Sequence, residues 1–347
     1  MTAATVNDAS MRPLVITMGD PAGIGPEIVV KALAQSSHLL GRVVVAGDMA
    51  TLQRALHLVG LSGDRGLRLV EVDGPDTLVT GGAGVLRVVQ ACAPFGPVPF
   101  GKISGDAGRS AADCIAAAAR WTLQGRTSAM VTAPIHKEAF AAAGLAYPGH
   151  TEFLQALAAE HLGVTVSNVP VRMMLSAPGL STVLVSIHVS LQQALAAVTT
   201  ERVLQTIRIT AAHFVRCGMP HARVAVAGLN PHAGEGGLFG REELDVIAPA
   251  VRQAQADGLN VSGPHAPDTV FMRTRQGEFD VVVAMYHDQG LIPVKLLGLE
   301  HGVNTTLGLP LIRTSPDHGT AFDLAGTGRA SPSSMLAAMD AALGMSA

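Results

Sequence analysis

The stretch LVITMGDPAGIGPEIVVKALA (residues 14–34) places a short apolar strand, a Gly/Pro-rich turn and a helical pattern directly after one another. Pro26 suits the first turn of a helix, because its fixed φ is helical and its missing N–H is not needed there. The strand Leu14–Thr17 has only apolar or β-branched side chains, which is typical of a strand covered on both faces. The stretch therefore predicts a strand–helix unit of an α/β protein.

The same alternation of strand and helix patterns continues along the chain. Further compact apolar runs, which predict buried parallel strands, occur at Val43–Ala46, Ala129–Thr132, Thr182–His188, Arg223–Ala227 and Val281–Met285. The length of 347 residues predicts two compact domains or one large α/β domain. The Gly/Pro-rich stretch Pro94–Gly108 is the nearest thing to a linker.

Charge and composition exclude several classes of protein. The 24 Lys and Arg and 27 Asp and Glu residues leave a net charge of −3, without the basic run that nucleic acid or anionic lipid would need. The sequence has no apolar stretch of about 18 residues, and Met1–Met11 lack the pattern of a secretory signal. Cys92, Cys114 and Cys217 are odd in number and predict buried thiols beside Ala-rich helices in a reducing compartment. We therefore expect a cytoplasmic protein without nucleic-acid or membrane partners.

Histidines stand where three of the predicted strands end: His188, His232 and His287. Ligands collect at the carboxyl ends of strands in open α/β sheets, so these imidazoles could meet there. Three imidazoles with one open coordination position would suit a catalytic metal. The ordinary alternative is a hydrogen-bonded loop residue, since the chain has 13 histidines.

The turn after the first predicted strand invites a dinucleotide-binding interpretation, which fits poorly. The fingerprint G-x-G-x-x-G would begin at Gly23 and Gly25, but Ile28 stands where the third glycine belongs. The alternatives are a turn whose amides only cap the following helix, or one whose amides face a ligand.

Three polar residues near the C-terminal end of the sequence stand among Gly, Pro and apolar residues: Lys295, Asn304 and Arg313. They are either anion-binding side chains or ordinary surface groups.

Several stretches together resemble the 4-hydroxythreonine-4-phosphate dehydrogenases of vitamin B6 biosynthesis and their relatives that oxidise phosphorylated threonate or erythronate. They are GDPAGIGPE (residues 19–27), APIHK (133–137), GHTEF (149–153), LNPHAGEGG (229–237), YHDQG (286–290) and GVNTTLGLP (302–310). The resemblance covers nearly the whole chain. It implies a two-domain α/β/α fold like that of isocitrate and isopropylmalate dehydrogenases, with the active site in the interdomain cleft.

The resemblance also implies the organisation of the domains and of the assembly. Residues 1–130 and 305–347 would form an outer domain with the cofactor loop, and residues 131–304 a central domain with the metal ligands and the dimer interface. Active sites shared between the two subunits of a homodimer are expected.

The resemblance assigns roles to individual residues. A divalent metal, zinc first, with cobalt, magnesium, nickel or iron as alternatives, would be held by His188, His232 and His287. The substrate would be bound by His150, Thr151, Lys295, Asn304 and Arg313.

A second resemblance, of residues 318–328 to the adenosine-binding loop of β-decarboxylating dehydrogenases, implies NAD contacts from His318, Gly319, Thr320, Asp323 and Gly326. A carboxylate at Asp323 would repel a 2′-phosphate, which favours NAD over NADP. Candidate proton acceptors are Lys137, Asp268 and Asp288.

The implied activity is NAD-dependent, metal-assisted oxidation of 4-hydroxythreonine 4-phosphate at C3, with decarboxylation to 3-amino-2-oxopropyl phosphate. The metal would acidify the substrate hydroxyl and stabilise the enolate left by carbon dioxide. Residues 287–298 resemble the phosphothreonate branch more closely, so 4-phospho-D-threonate or 4-phospho-D-erythronate is an alternative substrate. A non-catalytic metabolite-binding protein is the alternative from a different class.

Overall fold

The computed structural model describes residues 12–62, 66–77 and 84–346. These residues divide into two compact units, bounded by Met1–Val169 with Leu309–Ala347 (unit 1) and by Pro170–Gly308 (unit 2). Met1–Met11, for which the sequence predicts no targeting signal, lie outside the described residues. Within the described part, no helix is long and apolar enough to cross a membrane.

Unit 1 is built on a parallel sheet. Its strands are β1 (Leu14–Thr17), β2 (Val43–Gly47), β3 (Arg68–Glu71), β4 (Val85–Gln90), β5 (Met130–Thr132) and β12 (Arg313–Pro316). Its helices are α1 (Gly25–Gln35), α2 (Met49–Leu58), α3 (Gly105–Leu123), α4 (Lys137–Ala142), α5 (His150–Leu162) and α11 (Ser333–Met345). The strand order is β3-β4-β2-β1-β5-β12, with parallel pairing. The central strand β1 is fully buried, which explains its continuous apolar sequence.

Unit 2 is built on a mixed sheet. Its strands are β6 (Arg172–Ala177), β7 (Leu180–Leu184), β8 (Val224–Ala227), β9 (Val261–His265), β10 (Val281–Ala284) and β11 (Val303–Leu307). Its helices are α6 (Leu191–Ala197), α7 (Thr200–Arg216), α8 (Ala248–Ala256), α9 (Val270–Arg275) and α10 (His287–Lys295). The strand order is β11-β6-β7-β10-β8-β9. Leu291 and Val294 of α10 pack against the buried side chains of β7 and β10, so this helix covers the centre of the sheet.

The predicted α/β class is confirmed, but the predicted parallel pairing is wrong for part of unit 2. Strand β6 is antiparallel to both β7 and β11. Only Pro178 and Gly179 separate β6 from β7, and Gly179 has a φ of 81°. Two residues can close a hairpin, whereas a parallel connection needs a crossover of a dozen residues or more.

The boundaries of the compact units differ from those expected after residues 130 and 304. Residues 131–169 belong to unit 1 because α4 and α5 pack against α3. The return to unit 1 follows β11, at Leu309. The Gly/Pro-rich stretch Pro94–Gly108 lies inside unit 1, where its last residues form the start of α3, so it does not link the two units.

The cysteines partly match the expectation of buried thiols beside helices. Cys114 is fully buried within α3. Cys92 is also buried, but it follows strand β4. Cys217 follows α7 and is only half-buried, so the expectation of burial is wrong for this residue.

Helix α7 carries a buried histidine that makes the stability of the fold depend on pH. His213 is only 3% exposed, and its Nε2 lies 3.6 Å from Sγ of Cys217. Burial, together with the charge of Arg216, lowers the pKa of His213 from 6.5 to about 4. In the unfolded chain His213 is protonated below about pH 6.5, whereas in the folded chain it is protonated only below about pH 4. Stability therefore falls as the pH is lowered through this range.

We predict that the free energy of unfolding falls by about 3 kcal/mol between pH 6.5 and pH 4 because of His213 alone. In His213→Gln this contribution disappears, so the variant loses less stability on acidification than the parent chain does. Urea unfolding at a series of pH values measures the difference. His221→Gln makes the same substitution at an exposed histidine, so it is the control against which H213Q is compared. Equal acid sensitivity in H213Q and the parent chain would contradict the assignment.

Candidate active site

The three histidines of unit 2 follow three adjacent parallel strands. Strand β10 pairs with β7 on one side and with β8 on the other. His188 follows β7, His287 follows β10 and His232 follows β8, so His287 follows the central strand of the three. Strand β7 ends at Leu184 rather than at His188, and strand β10 ends at Ala284 rather than at Met285. His188 lies beyond the end of β7, whereas His287 is the first residue of α10.

The structure brings two of these histidines together. The ring centroids of His188 and His287 are 5.6 Å apart, with the rings inclined at 45°. Both rings line a cavity with Tyr286 and Asp288. His232 lines a neighbouring cavity with Asp268, and Tyr286 and Asp288 line that cavity too.

A divalent metal fits this donor set only in part. Imidazoles suit zinc, cobalt, nickel or iron, and the His188–His287 pair is close enough to share an ion. Among residues 12–62, 66–77 and 84–346, however, no three His, Cys, Asp or Glu side chains converge on one metal position. Strands β7 and β8 flank β10, so their axes lie about 10 Å apart at the sheet.

His287 is oriented by its neighbour in the sequence. Its Nδ1 lies 2.8 Å from Oδ1 of Asp288. A histidine that donates from Nδ1 to a carboxylate presents the lone pair of Nε2 to a ligand or a metal. Asp288, expected as a proton acceptor, is therefore engaged in holding His287.

Two of the histidines have backbone conformations that residues other than glycine rarely adopt. The φ angles of His188 and His232 are 50° and 53°, in the left-handed region. For a residue other than glycine this conformation costs about 1–2 kcal/mol. Such strain clusters at functional sites, so it supports a functional role for both loops.

The expected substrate-binding residues belong to both units. Lys295 is the exposed last residue of α10, and Asn304 lies on β11 opposite Leu175 of β6. Neither lines the two cavities beside the histidines. His150, Thr151 and Arg313 are in unit 1, at the first two positions of α5 and at the start of β12. Lys137, a candidate proton acceptor, is the exposed first residue of α4.

The buried Arg313 and the half-buried His150 interact electrostatically in unit 1. Arg313 is 3% exposed and donates from Nε and Nη2 to Oγ1 of Thr132, at 3.1 and 2.7 Å. Burial lowers the pKa of Arg313 to about 10. Burial and the Arg313 charge hold the pKa of His150 well below its usual range, so His150 is neutral at pH 7. An anion is the ligand that a desolvated guanidinium favours.

The expected cofactor loop is held by the Gly/Pro-rich turn and by helix α1. The N–H of Ile24 donates to the carbonyl of Thr320 (3.0 Å), and a Cβ on Gly23 would lie 2.9 Å from Cβ of Thr320. Glu27 is 1% exposed and accepts from the N–H groups of Gly326 (2.6 Å) and Gly328 (3.2 Å). The glycines therefore allow close packing on residues 318–328, and Asp323 lies exposed within that segment.

Comparison with known proteins identifies the family. Residues 40–342 match the family described as "Pyridoxal phosphate biosynthetic protein PdxA". The chain belongs to the PdxA family. It is 47% identical to a 4-hydroxythreonine-4-phosphate dehydrogenase of Beijerinckia indica over 95% of this chain and 94% of that one. It is 44% identical to a D-threonate 4-phosphate dehydrogenase of Salmonella typhimurium over 96% and 98%.

A crystal structure from the same family has the same fold. The 4-hydroxythreonine-4-phosphate dehydrogenase from Klebsiella pneumoniae superimposes with a TM-score of 0.86 at 43% identity, covering 98% of this chain and 99% of that one. These relatives are dehydrogenases, so this member of the PdxA family is an oxidoreductase. The resemblance stated from the sequence is confirmed.

Two further polar residues of unit 1, Asp20 and His136, are not among the site residues predicted from the sequence. Asp20 is 1% exposed, and its Oδ1 accepts from the N–H of Ala22 at 2.8 Å. Within the described residues, Oδ2 of Asp20 and Nδ1 of His136 are buried without a hydrogen-bond partner. Burial raises the pKa of Asp20, although the nearby His136 opposes the rise. Both residues lie in stretches that carried the resemblance, which was the available signal.

His136 also contacts the expected cofactor loop. Its ring stacks on that of Phe322, with centroids 4.5 Å apart and planes inclined at 17°. Phe322 directly precedes Asp323 in that loop. The buried, unpaired Nδ1 of His136 therefore belongs to a ring that contacts the expected cofactor loop.

We predict that Glu27→Gln lowers the free energy of unfolding by about 2 kcal/mol, because the new amide N–H₂ would oppose one of the two backbone donors. Urea unfolding measures the change, and hydrogen exchange should show faster exchange at Gly326 and Gly328. Glu138→Gln is a matched control, since Glu138 is an exposed glutamate in the first turn of another helix of unit 1. If E27Q and E138Q lose the same stability, Glu27 does not anchor the loop.

Proposed function

We propose that the chain is a cytoplasmic, NAD-dependent and divalent-metal-assisted dehydrogenase of 4-hydroxythreonine 4-phosphate. It oxidises C3 and releases carbon dioxide to give 3-amino-2-oxopropyl phosphate, in pyridoxal phosphate biosynthesis. The observation that carries the proposal is the arrangement of His188, His287 and His232 after three adjacent parallel strands, with the first two rings 5.6 Å apart. The names of two relatives, the 4-hydroxythreonine-4-phosphate dehydrogenases of Beijerinckia indica and Klebsiella pneumoniae, support this substrate.

In this proposal His188, His232 and His287 hold the metal, with zinc favoured. Imidazole nitrogens suit zinc, cobalt, nickel and iron better than magnesium, which prefers oxygen ligands. A bound divalent ion would supply Lewis-acid stabilisation of negative charge on the substrate hydroxyl oxygen. Asp288 acts by orienting the His287 ring through its 2.8 Å contact with Nδ1.

The remaining residues bind the two substrates and accept a proton. Arg313, with Thr132 behind its guanidinium, and neutral His150 would receive the phosphate. Thr151, Lys295 and Asn304 are proposed to complete the substrate contacts. Since Asp288 is engaged with His287, Asp268 and Lys137 remain as candidates for the proton acceptor. NAD would lie along His318, Gly319, Thr320, Asp323 and Gly326, with Asp323 accepting from the ribose hydroxyls.

We also propose a homodimer. Several large apolar side chains of unit 2 are strongly exposed, among them Leu191 (60%), Ile292 (55%) and Leu296 (80%). Leu191 lines the cavity of His188 and His287, and the other two line the cavity of His232. A second subunit that covers these side chains would remove apolar surface from water beside the site, and it could supply metal ligands.

A second candidate substrate is D-threonate 4-phosphate. It is favoured by the sequence of residues 287–298 and by the 44% identity to a dehydrogenase of that name. The two substrates differ at C2, where one carries an ammonium group and the other a hydroxyl. Asp268 and Asp288 line the cavity of His232, and carboxylates there favour the ammonium-bearing substrate.

We predict that the purified chain reduces NAD fastest with 4-hydroxythreonine 4-phosphate in a panel that includes 4-phospho-D-threonate and 4-phospho-D-erythronate. NADH absorbance in the near ultraviolet gives the rate, and a coupled assay for carbon dioxide tests decarboxylation. A chelator should abolish turnover, and zinc or cobalt should restore it. Preference for 4-phospho-D-threonate would select the second candidate. If the chain binds one of these compounds but turns over none of the three, it is a non-catalytic binding protein.

We predict that Arg313→Lys lowers kcat/KM for the phosphorylated substrate about ten- to a hundredfold, or about 1.4 to 2.7 kcal/mol, because lysine keeps the charge but lacks the planar fork. NAD binding should change little. Arg172→Lys is the matched control: Arg172 is another desolvated arginine, with its pKa lowered to about 10 and its Nε bonded to Thr206. Normal kinetics in R313K, or an equal loss in R172K, would remove Arg313 from the substrate site.

A further inference from the structure

The loop that carries His232 contains a left-handed helical turn. His232, Ala233 and Glu235 have φ/ψ angles of 53°/28°, 55°/41° and 45°/53°. The glycines between and after them, at 234, 236 and 237, also have positive φ. Residues other than glycine rarely adopt this backbone conformation even singly, and this turn contains three of them. Such a turn persists only when surrounding contacts hold it.

Glu243 supplies such contacts at the start of the loop. Its side chain is 2% exposed. Oε1 accepts hydrogen bonds from the N–H groups of Leu229 and Asn230, both at 2.7 Å, and Oε2 accepts from Nδ2 of Asn230 at 3.0 Å. A buried carboxylate needs several donors to offset its desolvation, and these donors belong to the two residues that lead into the left-handed turn.

The Glu243 carboxylate also fills the inside of the loop. A Cβ added to Gly234 would lie 2.6 Å from Oε2 of Glu243, and one added to Gly228 would lie 3.1 Å from Oε1. Glu243 itself begins a π-helical turn, Glu243–Ile247, which precedes α8. Single π-helical turns of this kind occur often at functional sites.

A second side chain, Gln289 of α10, ties the same loop to the segment between β10 and α10. Gln289 accepts from the N–H of Met285 through Oε1 and donates through Nε2 to the carbonyl of Gly228, both at 2.7 Å. The start of the His232 loop is thus held at Gly228 by Gln289 and at the next two residues by Glu243. The backbone around His232 is fixed relative to the strand that precedes His287.

We propose that Glu243 is a positioning residue: it holds the left-handed turn at residues 232–236 and thereby keeps the His232 imidazole where a metal or substrate can use it. The role of His232 rests on the proposed function, whereas the anchoring of the loop does not. Glu243 touches no reacting group, because its carboxylate is occupied by the backbone of the loop.

The test compares Glu243→Ala, Glu243→Gln and the control Asp245→Asn. Asp245 carries the same charge two residues along, but it is exposed and paired with Arg241. Glutamine retains one acceptor oxygen for the N–H groups of Leu229 and Asn230. Effects in E243Q should therefore lie between those of the parent chain and E243A, and D245N should match the parent chain.

Two measurements distinguish the effect of Glu243 on the conformation of the loop from its effect on metal binding. Hydrogen exchange at residues 229–237 should be faster in E243A, with the exchange of β8 and β10 unchanged. Co²⁺ affinity, measured by competition with a chromophoric chelator, should fall about 10- to 100-fold in E243A, as is usual when the partner of a metal-binding residue is removed. The KM for NAD should stay constant, because the expected cofactor loop lies in unit 1.

Each outcome decides the proposal. Unchanged exchange in E243A at residues 229–237 would overturn it, as would faster exchange combined with unchanged Co²⁺ affinity. If the parent chain binds no Co²⁺, the proposed metal function fails, and faster exchange in E243A would still establish Glu243 as the anchor of the loop. If E243A does not fold, the same comparison of E243Q with D245N decides.

Discussion

Buried carboxylates that accept hydrogen bonds from backbone N–H groups hold one loop in each unit. Glu27 binds Gly326 and Gly328 in unit 1, and Glu243 binds Leu229 and Asn230 in unit 2. These loops have no ladder or helix partner for those N–H groups, which must be satisfied when buried. A carboxylate accepts several such bonds at once, and they stabilise its charge in return. The conformation of each loop and the burial of each glutamate therefore depend on one another.

The relation between the histidines depends on strand order, which chain order does not reveal. The strands follow one another as β7, β8 and β10 in the sequence, but β10 lies between the other two in the sheet. His287 is therefore the central histidine, although it comes last in the chain. The sequence predicts three histidines at strand ends, because buried parallel strands are continuous apolar runs. Which two would lie in contact depends on the pairing of the strands, and no spacing in the sequence encodes that pairing.

Hydrogen bonds between residues far apart in the sequence also could not be predicted from the sequence. Glu27 and Gly326 are 299 residues apart, so nothing local marks Glu27 as the acceptor for that loop. Asp20 and His136 were visible in the family motifs, but their buried unpaired atoms emerge only when β1 and β5 pair. The antiparallel β6–β7 hairpin differs, because the Pro178-Gly179 turn between two apolar runs is a local signal. Strand positions were thus predictable from hydrophobicity, whereas buried polar partners required the fold.

Polar groups that are expected to bind ligands are held, in each unit, in states that cost stability. Arg313 and His150 are desolvated, which lowers the pKa of both, and the left-handed conformations of His188 and His232 cost about 1–2 kcal/mol each. The fully buried apolar strands of the two sheets offset these costs, as β1 and β10 illustrate. Stability and chemistry therefore reside in different residues of the same units. A substitution that relieves strain in the loops can stabilise the fold while it removes the arrangement on which activity depends. The persistence of strained and desolvated groups in loops so firmly anchored is itself an argument that the loops are functional.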